Sequence, residues 1–272
     1  MHPVVFEIGP LVVSSYGLLL AISFGMGLWL ALARAKRWKV KTELILDLFL
    51  IILVCSIFGS RFFYVTFHLE EFQGHLLDII NPIQSTGELG IAGLSMVGGV
   101  LLAVGIALLF LFLKNLNVWK MADLVSPSFM LGLGITRIGC FLNGCCFGKP
   151  TQSCLGVVFP YDSAAGYFNP DTPIYPSQLF GSGAGFLIFF FLLWVEKYKK
   201  FDGFTFWLML CFFSLQRFII DFFRYYEPKM IFLSIGGTNI SINQAALLPL
   251  LVLSIFIWDY LRRRQIATSK RI

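Results

Sequence analysis

The stretch ADLVSPSFMLGLGITRIGCFLNGCCFG, residues 122–148, sets a guanidinium, Arg137, inside an apolar run long enough to cross a bilayer. An arginine at that depth needs an anionic partner, and ionisable groups inside spans mark functional sites. Outward from this stretch the chain stays apolar: 57% of its 272 residues are hydrophobic, 13% are charged, and the mean hydropathy is +0.79. These values exclude an ordinary soluble domain and predict an all-α, polytopic membrane protein. Apolar stretches near 11–33, 43–67, 93–113, 122–142, 177–195, 204–223 and 244–261 predict about seven transmembrane helices in a single integral membrane domain over residues 1–272. No cleavable signal peptide is evident, because the first residues lack a positive n-region and Gly17 to Ala33 continues as a full-length span.

The basic residues set the orientation. Those after the first, third, fifth and seventh stretches, from Arg34 to Lys41, at Lys114 and Lys120, from Lys197 to Lys200, and from Arg262 to Arg271, make up most of the 21 lysines and arginines. Glu70, Glu71, Asp78, Glu88, Asp162, Asp171 and Glu227 gather on the other side. This alternation predicts an N-terminus outside and a C-terminus in the cytoplasm. The net charge of +6 is then mostly a topology signal, and no nucleic-acid partner is expected, since the positive residues form no single groove. The outer connections near 68–92 and 143–176 are the long ones, so the chemistry is expected on the outer side.

Arg217 and Arg224 lie at the end of the sixth stretch, so three fixed positive charges can meet in one apolar protein, which points to a phosphate. Arg217 and Asp221 are four apart, on one face of a regular helix, with Arg224 a turn beyond. Asp221 either orients an arginine or accepts a thiol proton. Structural alternatives stand beside these readings: an ion pair from Arg137 to Asp123 or Asp221, and an Arg224 that snorkels to the headgroup region. Gly98 and Gly99 either pack helices closely or let backbone approach a lipid head. The 30 phenylalanines face lipid or packing partners. Cys55 and Cys211 are isolated packing residues, whereas Cys140, Cys145, Cys146 and Cys154 cluster near the outer end of the fourth stretch. One or two disulfides are the leading reading there, and a reactive thiol is a further option. A zinc site is an alternative that lacks the usual paired two-residue spacing, and the expectation is no metal and no other cofactor.

The run from Arg137 to Gly148 resembles the signature of the prolipoprotein diacylglyceryl transferase family, R-x-G-N-F-x-N-G-E-x-x-G. Ser15-Tyr16-Gly17, Gly93-Leu94-Ser95 with Gly98-Gly99, Tyr175-Pro176-Ser177-Gln178-Leu179, and Arg217 through Asp221 to Pro228 are similar to further family motifs in the same order. The resemblance covers nearly the whole chain. It implies transfer of a diacylglyceryl group from phosphatidylglycerol to the lipobox cysteine of a prolipoprotein, releasing glycerol phosphate, at the outer-leaflet side of a bacterial inner membrane. Arg137, Arg217 and Asp221 are then the catalytic candidates. Tyr16, Gly98, Gly99, Asn143, Gly148 and Arg224 are candidates for binding the lipid. Ser177 and Gln178 read as a helix start, since a serine after Pro176 can cap.

Three positions depart from the family pattern. Val97 stands where a histidine or another polar ring is common, and Cys140 and Cys145 replace the asparagine and glutamate of the signature. The proton acceptor is left open by these changes, with His68 and His75 as possible substitutes. The same changes keep two other readings in play: a divergent phosphatidylglycerol-dependent transferase with another acceptor, and a non-catalytic lipid-binding membrane protein.

Overall fold

A computed structural model describes residues 4–8, 11–72, 95–235 and 238–269. Eight helices follow in order: α1 (Ser15–Arg37), α2 (Thr42–Phe67), α3 (Met96–Leu113), α4 (Val118–Leu142), the short α5 (Ala164–Phe168), α6 (Ser177–Val195), α7 (Phe204–Asp221) and α8 (Ile242–Ser269). Among the described residues, every one of these except α5 is long and apolar enough to cross a membrane, which gives the seven expected spans. Two small hairpins were not expected. Val4–Ile8 (β1) pairs with Leu11–Ser14 (β2), and Ile231–Ile235 (β3) pairs antiparallel with Thr238–Ser241 (β4). The adjacent β-branched pairs Val4-Val5 and Val12-Val13 favour extended backbone, so the first helix begins at Ser15 rather than within the apolar run that precedes it.

The chain divides into two compact units, one containing Val12–Leu30 and Trp119–Ile272, the other Ala31–Val118. In the second unit α2 and α3 pack at unusually close range. A Cβ on Gly98 would lie 2.3 Å from the Phe63 Cβ and 2.5 Å from the Gly59 carbonyl oxygen, and one on Gly99 would lie 2.3 Å from the Ser60 hydroxyl. Both glycines pack α3 against α2, the packing alternative of the two readings the sequence offered: the face that lacks a side chain is filled by α2. Ser95 starts α3 by accepting a hydrogen bond from the Gly98 N–H at 3.5 Å. His68 is engaged locally, with its Nδ1 3.1 Å from the Tyr64 carbonyl and its ring stacked on Tyr64 at 4.3 Å. Most of the connection near 68–92, including His75, lies outside the described residues.

In the first unit Met130 and Leu131 of α4, Ile188, Phe189 and Leu192 of α6 and Met209 of α7 form the core. Gly134 and Gly185 let α4 and α6 approach closely: a Cβ on Gly185 would lie 3.2 Å from the Gly134 Cα. The Ser182 hydroxyl donates to the Gly134 carbonyl at 2.8 Å and pins the crossing. At the opposite end of α4, the fully buried Asp123 accepts hydrogen bonds from the N–H groups of Gly203 and Phe206, both at 2.8 Å, and pairs with Lys199 at 3.0 Å. It thus caps α7 from another helix, supplying the N-terminal acceptor that Gly203 has no side chain to provide. Replacing Asp123 with Ala strands the two amides while Lys199 keeps its pair with Asp202, so we expect a loss of about 3 kcal/mol in stability. Thermal unfolding in detergent measures it.

Candidate active site

The site is built at the end of the first unit where α4 and α7 finish and α6 begins. Arg137 sits on the last turns of α4 and its aliphatic stem crosses Gly181 of α6, where a Cβ would touch its Cγ and Cδ at 3.5 Å. Arg217 and Asp221 end α7 as an ion pair of 3.2 Å at the spacing of one turn. Beyond α7 the chain turns back, and Arg224 forms an isolated antiparallel bridge with Gly148. Lys149 N–H donates to Phe223 O at 2.9 Å and Tyr225 N–H to Phe147 O at 3.2 Å. Gly148 allows this bridge, since a Cβ there would lie 2.3 Å from the Tyr175 carbonyl oxygen. It thereby brings the Arg224 segment in beside the end of α4.

Arg137, Arg217 and Arg224 line one cleft, together with Cys146, Ser177, Gln178 and Gln216. Asp221 matches Arg217 alone. Among the described residues Arg137 has no carboxylate at ion-pairing distance, because Asp123 is taken by Lys199 and Asp221 by Arg217. Arg224 donates a long hydrogen bond of 3.5 Å to the Tyr226 hydroxyl and lies over that ring at 5.2 Å, while its buried Nε finds no partner among the described residues. The cleft therefore carries a surplus of positive charge in a low-dielectric setting, where an anion is strongly favoured.

Tyr226 gathers the arginines. Its hydroxyl accepts from Arg217 at 3.3 Å, from Arg224 at 3.5 Å and from Asn243 at 3.1 Å. Burial holds its phenol above the ordinary value, with Arg224 pulling the other way, so it stays neutral and acts as an acceptor. The sequence showed Tyr226 only as part of a motif. Gln216 was missed altogether, although a polar amide inside an apolar span was a usable signal. Its Oε1, like that of Gln178, is buried without a partner among the described residues.

Ser177 and Gln178 begin α6, as expected, but without the expected cap. Neither side chain caps α6; the Ser177 hydroxyl donates to Cys146 O at 3.1 Å and the Gln178 amide to Cys145 O at 2.8 Å. They hold the loop that follows α4. Tyr16, on the first turn of α1, is within electrostatic reach of Arg137 and of Cys140, Cys145 and Cys146. Asn143 closes α4 through its backbone, donating to Gly139 O at 3.0 Å, and its side chain does not line the cleft.

All six cysteines are free thiols in the structure. Cys140, Cys145 and Cys146 place their sulfurs within 4.8 Å of one another, while Cys154 is exposed and stands apart from them. Cys146, which reaches the arginine cleft, has its thiol pushed down by sulfur hydrogen bonds from Cys140 and Cys145 and then by Arg224 and Arg137.

Seven apolar spans and an arginine-lined cleft at the ends of three of them define a polytopic membrane protein with a positively charged cleft. The chain belongs to the prolipoprotein diacylglyceryl transferase family, whose description matches residues 3–260. A phosphatidylglycerol–prolipoprotein diacylglyceryl transferase of Clostridium tetani (strain Massachusetts / E88) is 29% identical over 266 residues, which cover 97% of this chain and 100% of that protein. The same-named protein of Clostridium botulinum (strain Loch Maree / Type A3) is 30% identical over 224 residues, covering 82% and 85%. In Clostridium perfringens (strain 13 / Type A), a protein whose name carries the suffix 2 is 32% identical over 225 residues, covering 82% and 84%.

Proposed function

We propose that this chain transfers the diacylglyceryl group of phosphatidylglycerol to the lipobox cysteine thiol of a prolipoprotein. The observation that carries the reading is the convergence of Arg137, Arg217 and Arg224 on one cleft with a single carboxylate among them. Planar guanidinium groups bind phosphate oxygens through paired hydrogen bonds, and those bonds strengthen as charge moves onto the departing glycerol phosphate. The acceptor thiol gives up its proton to water, its sulfur forms a bond to the terminal glyceryl carbon, the carbon–oxygen bond to phosphate breaks, and the electron pair leaves with the phosphate. Asp221 orients Arg217 rather than working as a free base, since its carboxylate is buried against that guanidinium. The bare acceptors Gln178 Oε1 and Gln216 Oε1 suit a headgroup that brings its own hydroxyl donors, and the arginines disfavour one that brings an ammonium.

The site faces the outer leaflet of a bacterial inner membrane, with the N-terminus outside and the C-terminus in the cytoplasm. In support, the cleft lies at the C-terminal ends of α4 and α7, whereas the basic flanks holding Lys120 and Lys197 to Lys200 lie at the other ends of α4, α6 and α7. Purified protein in phosphatidylglycerol vesicles with a synthetic lipobox peptide tests the reaction. The expected products are glycerol phosphate and a thioether-linked diacylglyceryl peptide. Lipid consumed without a thioether would mean another acceptor, and no lipid consumed would remove the transferase reading for this chain.

A further inference from the structure

Cys140, Cys145 and Cys146 are brought together by backbone devices that the family reaction alone does not require. The end of α4 is a Schellman turn: Cys145 N–H donates to Cys140 O at 3.1 Å and Gly144 N–H to Phe141 O at 3.2 Å, with Gly144 at φ +70°. That turn sets the side chain after the glycine against the residue five positions before it, which here means one sulfur against another. Successive side chains in extended backbone point apart. Cys146 avoids this by adopting φ +59°, a left-handed conformation that costs a non-glycine residue strain, and its sulfur swings back to the other two.

The loop is also fixed from outside. Three successive carbonyls are each engaged: Gly144 O accepts from the Ala165 N–H at 3.1 Å, Cys145 O from Gln178, and Cys146 O from Ser177. Three sulfurs on a preset frame form a ligand set, and an odd number cannot be satisfied by disulfides within the group. In a tetrahedral site with metal–sulfur bonds of about 2.3 Å, the sulfurs stand roughly 3.8 Å apart, so the observed spacing closes with shifts of under about 1 Å.

We propose that Cys140, Cys145 and Cys146 bind one thiophilic d10 cation, Zn2+, and that the position left open on it takes the acceptor's cysteine sulfur. The sequence spacing argued against zinc because it lacks paired two-residue separations; the Schellman turn and the left-handed Cys146 supply the convergence instead. Three thiolates and a dication leave one net negative charge, which the cleft arginines offset through Cys146, the residue the two groups share. Three protein ligands with an open fourth position is the arrangement of catalytic zinc. The second half of the proposal rests on the transferase reading above. On coordination the acceptor thiol gives its proton to water, and the bound thiolate then attacks the glyceryl carbon as already described, with no change of oxidation state.

The test reads metal and chemistry separately. Full-length protein purified in detergent without reductant is analysed for zinc by plasma mass spectrometry, and for disulfides by non-reduced peptide mapping. About one zinc per chain is expected, with a loss of at least about tenfold in each of Cys140→Ser, Cys145→Ser and Cys146→Ser, and retention in Cys154→Ser. Wild-type protein loaded with Co2+, which needs no variant to fold, should show sulfur-to-cobalt charge-transfer bands. These should intensify with a lipobox cysteine peptide and not with its serine counterpart. Absence of zinc together with absence of cobalt bands, or a disulfide within the triad, overturns the metal site. Cobalt bands that ignore the cysteine peptide overturn the open-position role. If phosphatidylglycerol is still converted to thioether product in either case, the transferase reading stands without the metal; if zinc is bound and no lipid is consumed, the metal site stands and the transferase reading fails.

Discussion

Arg137→Ala is expected to lower turnover of phosphatidylglycerol by a hundredfold to a thousandfold, about 3 kcal/mol or more of barrier, while leaving the protein as stable as before or more so. The two halves have one cause. Arg137 has no carboxylate partner among the described residues, so deleting it strands no opposite charge and removes a half-buried cation beside two others. A residue kept for structure would behave in the opposite way, costing stability when lost. Arg137→Lys is expected to fall between, because an ammonium keeps the charge but cannot present the paired donors of a guanidinium. Turnover in vesicles and thermal unfolding of the same preparations check both halves. A stability loss of several kcal/mol with turnover unchanged would make Arg137 a packing residue.

Asp221 gives the second large effect, with the stability sign reversed. Its carboxylate is buried and lies 3.2 Å from Arg217, and the Ser241 hydroxyl reaches its other oxygen at 3.5 Å. The contact to Arg217 is ionic rather than a well-aligned hydrogen bond, since Oδ1 makes none among the described residues. Asp221→Ala therefore leaves a buried guanidinium uncompensated, and we expect a loss of about 3 kcal/mol in stability along with a fall in turnover of roughly a hundredfold from the misplaced Arg217. Asp221→Asn separates orientation from proton transfer. An amide oxygen keeps a partial negative charge beside Arg217 and an acceptor for Ser241, so part of the activity should return relative to Ala. Equal loss in both variants, with the Asn protein fully folded, would assign Asp221 as the proton acceptor.

The arginine cleft could be read from the chain before any coordinates, because charge inside apolar spans is rare enough to carry meaning residue by residue. The number of spans was equally legible, since length and hydropathy define a span without reference to its neighbours. What escaped were features that exist only through contacts distant in sequence. Ser177 and Gln178 bond carbonyls 31 and 33 residues earlier, so local propensity showed a helix start and nothing more. Gly98 and Gly99 carry no local mark of close packing; it becomes visible only in the surfaces of Gly59, Ser60 and Phe63 that they meet. The thiol cluster was hidden in a different way. Separations of five and one look unsuited to a shared ligand until Gly144 and Cys146 both turn left-handed. Asp123, placed by sequence at the inner end of its span, proved to be the cap of a helix that begins eighty residues later.

The direct measurement is an electron cryomicroscopy map of the protein in nanodiscs containing phosphatidylglycerol. The phosphodiester should lie within hydrogen-bonding distance of the guanidinium groups of Arg137, Arg217 and Arg224 together, with its terminal glycerol toward Gln216. A map in which those three side chains bind protein carboxylates or separate lipids, with no phosphate common to them, would contradict the account.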